Sequence, residues 1–353
     1  MSSLKTFLPD RILALDYLRG FFIIIIIVDH LWRWPNLFVA ISGRGELWAS
    51  AAQGFVIISG LLVGYIRGYK NRQQSLKIIS KILVKRGFLL YFWMILTTII
   101  LTMLSWFLHF KGGIPWIPIS IGDWNNLFIS AVRLDYTHTL THFLYLYALF
   151  LILSPLAIQL LRKRLPWLLA LASLAGWAFG ILRDVEWLQW QLLFFIPVIA
   201  GFYMESLAAR YARLPKYFQT VVRIVPIAIT TVTATISAVL ILPSQPGAYT
   251  STLFSKDPVT MATIVMSFIW FLGFLSLFQY CLPFLQKRLH WLLLPFGERS
   301  LTAYILHTLP LILCQILFPE SSNIFINTTI TATCIIMTLL LVRLPFINRI
   351  VPR

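Results

Sequence analysis

The chain has 353 residues, of which 59% are hydrophobic and only 12% are charged. A soluble domain carries about 25% charged residues, and a soluble protein of this composition would expose large apolar patches. A membrane-spanning helix needs about 20 apolar residues, so the composition suffices for about ten spans. These figures exclude a soluble enzyme and a disordered chain, and they predict a multi-pass integral membrane protein.

Apolar runs separated by charged, proline-rich or glycine-rich breaks predict an all-α membrane protein, a single domain over residues 1–353. The ten predicted spans, in chain order, are 12–32, 47–66, 87–108, 138–160, 167–182, 188–205, 221–242, 259–282, 298–317 and 324–343. The first apolar run contains charged residues that a signal peptide lacks, so we expect it to remain as a span. The three cysteines lie within apolar runs and are expected to be core residues.

The net charge of +17 is distributed unevenly between alternate predicted loops. Starting from the N-terminus, 22 of the Lys and Arg residues fall on one side of the predicted membrane and 6 on the other. Cytoplasmic loops are enriched in Lys and Arg, so this asymmetry predicts ten helices with both termini in the cytoplasm.

The predicted loop 66–86 is more basic than orientation requires, with seven positive charges and no acidic residue. A basic patch at the start of a span suits anionic lipid headgroups or a polyanionic cytoplasmic ligand. We expect Lys81, Lys85 and Arg86 to form its binding surface, with Arg86 rather than Lys85 pointing into the bundle.

The first span contains four ionisable residues, Asp16, Arg19, Asp29 and His30. A charged group near the bilayer centre costs about 2.5–3.5 kcal/mol, so such residues are functional candidates. Asp16 and Arg19 are spaced to pair on one helix face. Arg19 and His30 share one stripe of the helix, roughly 16 Å apart along its axis. An Arg19 that snorkels to the inner surface and a His30 at the outer rim remain an alternative.

These residue types suit acyl transfer to an alcohol. Histidine suits the role of general base toward a hydroxyl, because its pKa lies near physiological pH. An acyl-CoA donor would bring phosphates from the cytoplasm, which Arg19 and the basic patch would bind. Asp29 and His30 are neighbours and diverge on a helix. Asp29 is therefore expected either to orient a group on another helix or to be solvated at the outer rim.

Five sequence segments, in this order, resemble those of the OpgC family and, more broadly, acyltransferase family 3 of membrane O-acyltransferases. They are LDYLRG followed by VDH in the first span, ASAAQGFVIISGLLVGY at 49–65, LYALFLILSP at 146–155, WQLLFFIPVIAG at 190–201 and FGERSLTAYILH at 296–307. Arg19, ten intervening residues and His30 match the first-helix pattern of the broader family. The basic R-x-x-R pattern of that family is replaced here by Lys81, Lys85 and Arg86.

The resemblance implies a ten-helix enzyme of the bacterial inner membrane that acylates a periplasmic or envelope glycan. The acyl group would be succinyl or acetyl, carried by a cytoplasmic acyl-CoA. The expected catalytic residues are His30 and Asp29, and Asp16, Arg19, Lys81, Lys85 and Arg86 would bind the donor. The alternative function is a transporter or flippase of an acylated or glycan-linked substrate.

Candidate residues for the acceptor side are Gln53, His138, Trp190, Gln191 and His307. Three of them have a structural alternative: Gln53 lies in a small-residue stretch suited to helix packing, Trp190 can belong to an interfacial belt, and His307 can be a core histidine. His138 and His142 share one helix face in the predicted span, but the motif includes no carboxylate ligand and no metal is expected. The expected partners are acyl-CoA as co-substrate, the glycan and membrane lipids, with no bound cofactor and no nucleic acid.

Overall fold

A computed structural model describes residues 13–109, 118–247, 252–345, 347 and 351. Within these residues the protein is α-helical, and its β-type contact is a single isolated bridge between Lys256 and Val259. The prediction of an all-α membrane protein is confirmed. Five of the cations counted for orientation lie outside the described residues, namely Lys5, Arg11, Lys111, Arg349 and Arg353.

The described residues form seventeen α-helices. In chain order they are α1 (Leu13–Leu31), α2 (Val39–Ser42), α3 (Ala51–Leu62), α4 (Leu76–His109), α5 (Trp124–Arg133), α6 (Phe143–Arg162), α7 (Pro166–Arg183), α8 (Glu186–Trp190), α9 (Leu192–Phe202), α10 (Met204–Arg213), α11 (Lys216–Ile241), α12 (Met261–Tyr280), α13 (Leu282–Arg288), α14 (His290–Glu298), α15 (Ser300–Leu306), α16 (Thr308–Leu317) and α17 (Ile324–Arg343). A π-helical segment, Val63–Lys70, extends α3.

Eight helical segments of the described chain are long and apolar enough to cross a membrane. A ninth is added if α8–α9 and α10, bent by 62° at their junction, count as one span. Helix α1 has 19 residues but carries Asp16, Arg19 and Asp29, which sets it apart from the purely apolar spans. Each of the ten predicted spans nevertheless corresponds to a helix or a run of consecutive helices.

The prediction of a loop over 66–86 is wrong, because most of this segment is helical. The π-helical segment runs to Lys70, and α4 begins at Leu76, eleven residues before the predicted span. Its first turns are amphipathic: Lys77, Lys81 and Lys85 are exposed, whereas Ile79 and Leu83 are buried. A helix with an apolar stripe remains stable beyond the apolar run that hydropathy detects.

Two other predicted loops also contain helices. Helix α5 lies within the predicted outer loop 109–137, of which residues 110–117 are outside the described chain. Helices α13 and α14 occupy the predicted loop between the eighth and ninth spans. Helix α14 packs along α1, so this segment belongs to the core rather than to a surface connection.

Helix α1 lies at the centre of the bundle and is buried along most of its length. Glycines let α14 approach it closely. A Cβ on Gly20 would lie 2.0 Å from the carbonyl oxygen of Leu293, and a Cβ on Gly297 would lie 1.9 Å from that of Asp16. Gly60 of α3 makes a similar backbone contact with Phe194 of α9. Small residues at such crossings allow close helix packing in membranes.

Candidate active site

A cavity of about 220 Å³ lies beside α1 and is bounded mainly by α3, its π-helical extension, α4 and α6. Arg19, Arg67 and Arg86 line it, and no Asp or Glu is among its lining residues. The guanidinium of Arg86 lies within electrostatic range of those of Arg19 and Arg67. Like charges held together in a low-dielectric environment repel one another, so the arrangement favours an anionic ligand.

Arg19 is the cation that α1 contributes to this cavity. Its Nε atom is buried and has no hydrogen-bond partner among the described residues, and its guanidinium lies 5.4 Å from the ring centre of Phe55. Asp16, one turn earlier on α1, attracts it electrostatically. The guanidinium therefore retains donor capacity for a phosphate or carboxylate.

Hydroxyl groups from α3 and α6 form a polar wall of the cavity. Tyr147 donates a hydrogen bond to the carbonyl of Phe55 at 2.8 Å, and the hydroxyl of Ser59 bonds to that of Tyr147. Ser59 also lies 3.1 Å from the same carbonyl. These hydrogen bonds hold the side chains of Ser59 and Tyr147 in place, because each hydroxyl has a partner within the protein.

Tyr304 joins the cavity to a pair of histidines. It lines the cavity, and its ring centre lies 6.4 Å from that of His30 and 5.4 Å from that of His307. His30 Nδ1 and His307 Nε2 are 2.8 Å apart. Tyr304 therefore lies between the cavity that Arg19 lines and the histidine pair.

The hydrogen bonds assign the ring protons of the two histidines. His307 Nδ1 contacts the main-chain carbonyl of Tyr304, which can only accept, so this nitrogen carries a proton. His307 is fully buried, where a neutral imidazole is favoured, and its Nε2 therefore accepts. His30 Nδ1 must then donate to His307, and the lone pair of neutral His30 lies on Nε2. His30 has the tautomer of a general base that acts through Nε2.

His138 lies near His30 but is held by other partners. Its Nδ1 accepts from the main-chain nitrogen of Leu140 at 3.3 Å, and its own main-chain nitrogen donates to Thr98 at 3.3 Å. The prediction that His138 and His142 share a helix face is wrong. His138 has extended backbone geometry before the short turn Thr139–Thr141, so the helical spacing does not apply.

Asp29 points to a different set of residues from those around His30. Its Oδ2 would lie 3.2 Å from a Cβ on Gly45, and Ser42 and Lys256 are nearby. Lys256, outside the spans, donates to the carbonyl of Gly45. Burial lowers the pKa of Lys256 to about 8, and the attraction of Asp29 and Glu46 opposes this shift. The structure therefore does not bring Asp29 to the histidine pair.

The other predicted residues do not line this cavity. Lys81 and Lys85 are exposed and do not line the cavity. Gln53 completes a capping box with Ser50 at the start of α3, and its buried Nε2 has no hydrogen-bond partner in the described part of the chain. Trp190 is buried against Phe143, and Gln191 donates to the carbonyl of Ser173.

Two features were missed by reasoning from the sequence. Arg67 was counted in the basic patch, but its position on a π-helical segment that faces the cavity was not foreseen. The second feature is a polar cluster in which His142 Nε2 lies 2.7 Å from Glu186 Oε1 and His142 Nδ1 lies 2.6 Å from the hydroxyl of Thr137. No local pattern signals it, because Glu186 is 44 residues from His142.

The described residues contain no group of three or more His, Cys, Asp or Glu side chains arranged to hold a metal ion. Among known proteins, no curated protein and no solved structure matches the chain. The family model described as OpgC protein matches residues 11–347, nearly the whole length. On that match, the chain belongs to the OpgC family.

Proposed function

We propose that this protein is a membrane O-acyltransferase that moves an acyl group from a cytoplasmic acyl-CoA to a hydroxyl of a periplasmic or envelope glycan. The observation that carries the proposal is the cavity with three arginines and no carboxylate, which ends at Tyr304 against the His30–His307 pair. It combines an anion-binding region with a general base. Family membership supports the same class of glucan modification.

In this proposal the donor enters from the end of the bundle that carries the basic residues. Arg19, Arg67 and Arg86 bind its phosphates, since the guanidinium fork matches two phosphate oxygens at once. The acyl arm extends past Phe143 and Tyr147, which both line the cavity. This orientation brings the thioester toward Tyr304 and the histidines.

The chemical step needs one base and one leaving group. His30 Nε2 removes the proton of the acceptor hydroxyl while the hydroxyl oxygen attacks the thioester carbonyl carbon. The carbon–sulfur bond breaks, and the thiolate of CoA takes the proton back from the His30 imidazolium. His307 accepts a hydrogen bond from His30 Nδ1 throughout, which keeps the Nε2 lone pair directed to the acceptor.

The test is acyl transfer by the purified protein in lipid nanodiscs. Succinyl-CoA and acetyl-CoA, labelled in the acyl group, are each incubated with envelope glycan, and label in the glycan is measured by mass spectrometry. We expect label with wild type and at least about a hundredfold slower labelling with His30→Ala. In a parallel assay with the protein in proteoliposomes, glycan that crosses the membrane without gaining label would contradict acyl transfer and support the transporter or flippase alternative.

A further inference from the structure

A second cavity, of about 450 Å³, opens at the C-terminal end of α1. Its volume lies in the range of small-molecule binding sites, about 300–1,000 Å³. The chain that follows α1, the chain that follows α16 and the first turn of α17 form most of it, and its lining residues are Trp32, Arg33, Trp34, Pro35, Pro246, Glu320, Ser321, Ser322 and Asn327. None of the described candidate residues of the acyl-transfer site lines this cavity.

Trp32 presents an aromatic ring at the cavity in a strained backbone conformation. Its side chain is 57% exposed, and its φ is +53°, in the left-handed region. A bulky residue rarely adopts a positive φ, and such strain is concentrated at ligand sites. An exposed ring held in this way suits the apolar C–H face of a sugar ring.

Two buried polar atoms in the wall lack hydrogen-bond partners among the described residues. Asn327 Nδ2 donates to the carbonyls of Pro35 at 2.9 Å and Ser321 at 2.8 Å, which fixes Asn327 Oδ1 as an acceptor without a donor. Trp34 Nε1 is a donor without an acceptor. Buried polar groups are nearly always paired, so the missing partners point to a ligand that both donates and accepts.

The charge of the lining favours a neutral, hydroxyl-rich ligand over an anionic one. Arg33 uses both terminal nitrogens on the carbonyls of Cys314, Phe318 and Pro319 at the end of α16. Glu320 is exposed at the cavity and would repel a phosphate. Serine hydroxyls and a carboxylate bind sugar hydroxyls well, whereas an interfacial tryptophan in contact with lipid needs no polar concavity.

The cavity lies beyond the histidine pair along both α1 and α16. Trp32 follows His30 by two residues, and α16 runs ten residues beyond His307, about 15 Å, before the chain reaches Glu320. We propose that this cavity is a saccharide subsite, which binds one sugar unit of an oligosaccharide acceptor at a distance from the hydroxyl that reacts at His30. This inference rests on the proposed function, because only an acyltransferase has an acceptor hydroxyl that reacts at His30.

Binding can be tested without any acyl donor. Isothermal titration of the protein in nanodiscs with a linear glucose pentasaccharide should give saturable binding, which Trp32→Ala and Glu320→Gln each weaken by at least fivefold. Trp167→Ala, which removes an exposed tryptophan at the start of α7, should leave the affinity unchanged. Equal affinity in wild type, Trp32→Ala and Glu320→Gln would overturn the subsite.

Kinetics separate this inference from the proposed function. With acyl-CoA as donor, Trp32→Ala should raise KM for the pentasaccharide and leave kcat within about twofold, since remote contacts bind the acceptor in both ground and transition states. With glucose as acceptor, the variant should match wild type. An equal loss with both acceptors would overturn the subsite. Absence of transfer by wild type would refute the acyltransferase and leave the titration as the test of saccharide binding.

Discussion

His30 Nδ1 and His307 Nε2 lie 2.8 Å apart although the two residues are 277 positions apart in the chain. The carbonyl of Tyr304 holds the proton on His307 Nδ1, and His307 in turn holds the proton on His30 Nδ1. The first hydrogen bond fixes the tautomer of His307, and the second fixes the tautomer of His30. The lone pair of His30 therefore lies on Nε2. An imidazolium formed at His30 would be stabilised by the same contact.

The first prediction concerns His30 as the base. General-base catalysis contributes about 10²–10⁴-fold, so His30→Ala should lower kcat by that range while the affinity for CoA stays the same. Steady-state transfer assays and CoA titration of the same preparation check both quantities. A variant that retains more than about a tenth of the wild-type rate would contradict this role.

The second prediction separates a positioning role of His307 from a purely structural one. His307→Gln keeps a side-chain acceptor for His30 Nδ1, whereas His307→Leu removes it. We expect His307→Gln to retain clearly more activity than His307→Leu, and we expect the acidic limb of the kcat–pH profile to move in the leucine variant. Equal activities and unchanged pH profiles would show that His307 only fills space.

The third prediction concerns the arginine cavity. A hydrogen bond to a charged group contributes about 1.5–3 kcal/mol, which is roughly tenfold or more in Kd. Arg19→Lys, Arg67→Ala and Arg86→Ala should each weaken acyl-CoA binding by that amount. Lys85→Ala is the matched control, because Lys85 is exposed on α4 and adjacent to Arg86 but does not line the cavity.

The outcome for these variants decides what the basic patch does. If Lys85→Ala weakens binding as much as Arg86→Ala, the patch acts through its total charge. If none of the arginine variants changes affinity, the basic residues serve only topology and lipid contacts.

Hydropathy and charge were sufficient to predict the helical membrane architecture and the approximate positions of the spans. The start of α4 was missed because Lys77, Lys81 and Lys85 lower the average hydropathy of a segment whose opposite face is buried. Helix α14 was missed for a similar reason: it is short and carries a proline, yet it packs tightly against α1 through Gly20 and Gly297.

The candidate site could be predicted only where its residues lie on one helix. Arg19 and His30 stand out because ionisable side chains in an apolar span are costly. The contact between His30 and His307 depends on how distant helices pack, and no local pattern carries that information. Arg67 was hidden for another reason, since a π-helical segment rotates side chains away from the positions expected from α-helical spacing.

The fourth prediction concerns the crossing of α1 and α14. Gly20→Ala and Gly297→Ala should each destabilise the protein by about 1–3 kcal/mol, because the new Cβ would overlap backbone and the helices must separate. Thermal unfolding in detergent measures this loss. Gly176→Ala is the control, since its Cβ would meet side-chain atoms rather than backbone, namely Gln191 Nε2 at 3.3 Å and Leu188 Cδ2 at 3.7 Å.

Gly20 and Gly297 lie at the same crossing of α1 and α14, so their alanine substitutions should not be additive in the double variant. Once one alanine has separated the helices, the second should add little, so the combined loss should be smaller than the sum. Full additivity would show that the two glycines act at independent contacts.

The fifth prediction concerns Lys256, which donates to the carbonyl of Gly45 and has a pKa lowered to about 8 by burial. The folded protein releases this proton near pH 8, whereas an unfolded chain keeps it to about 10.4. Between these values the folded state binds fewer protons, so the lysine adds stability as the pH rises. The melting temperature of wild type relative to Lys256→Met should therefore increase from pH 8 to pH 10. A difference that stays constant or falls over this range would contradict the lowered pKa.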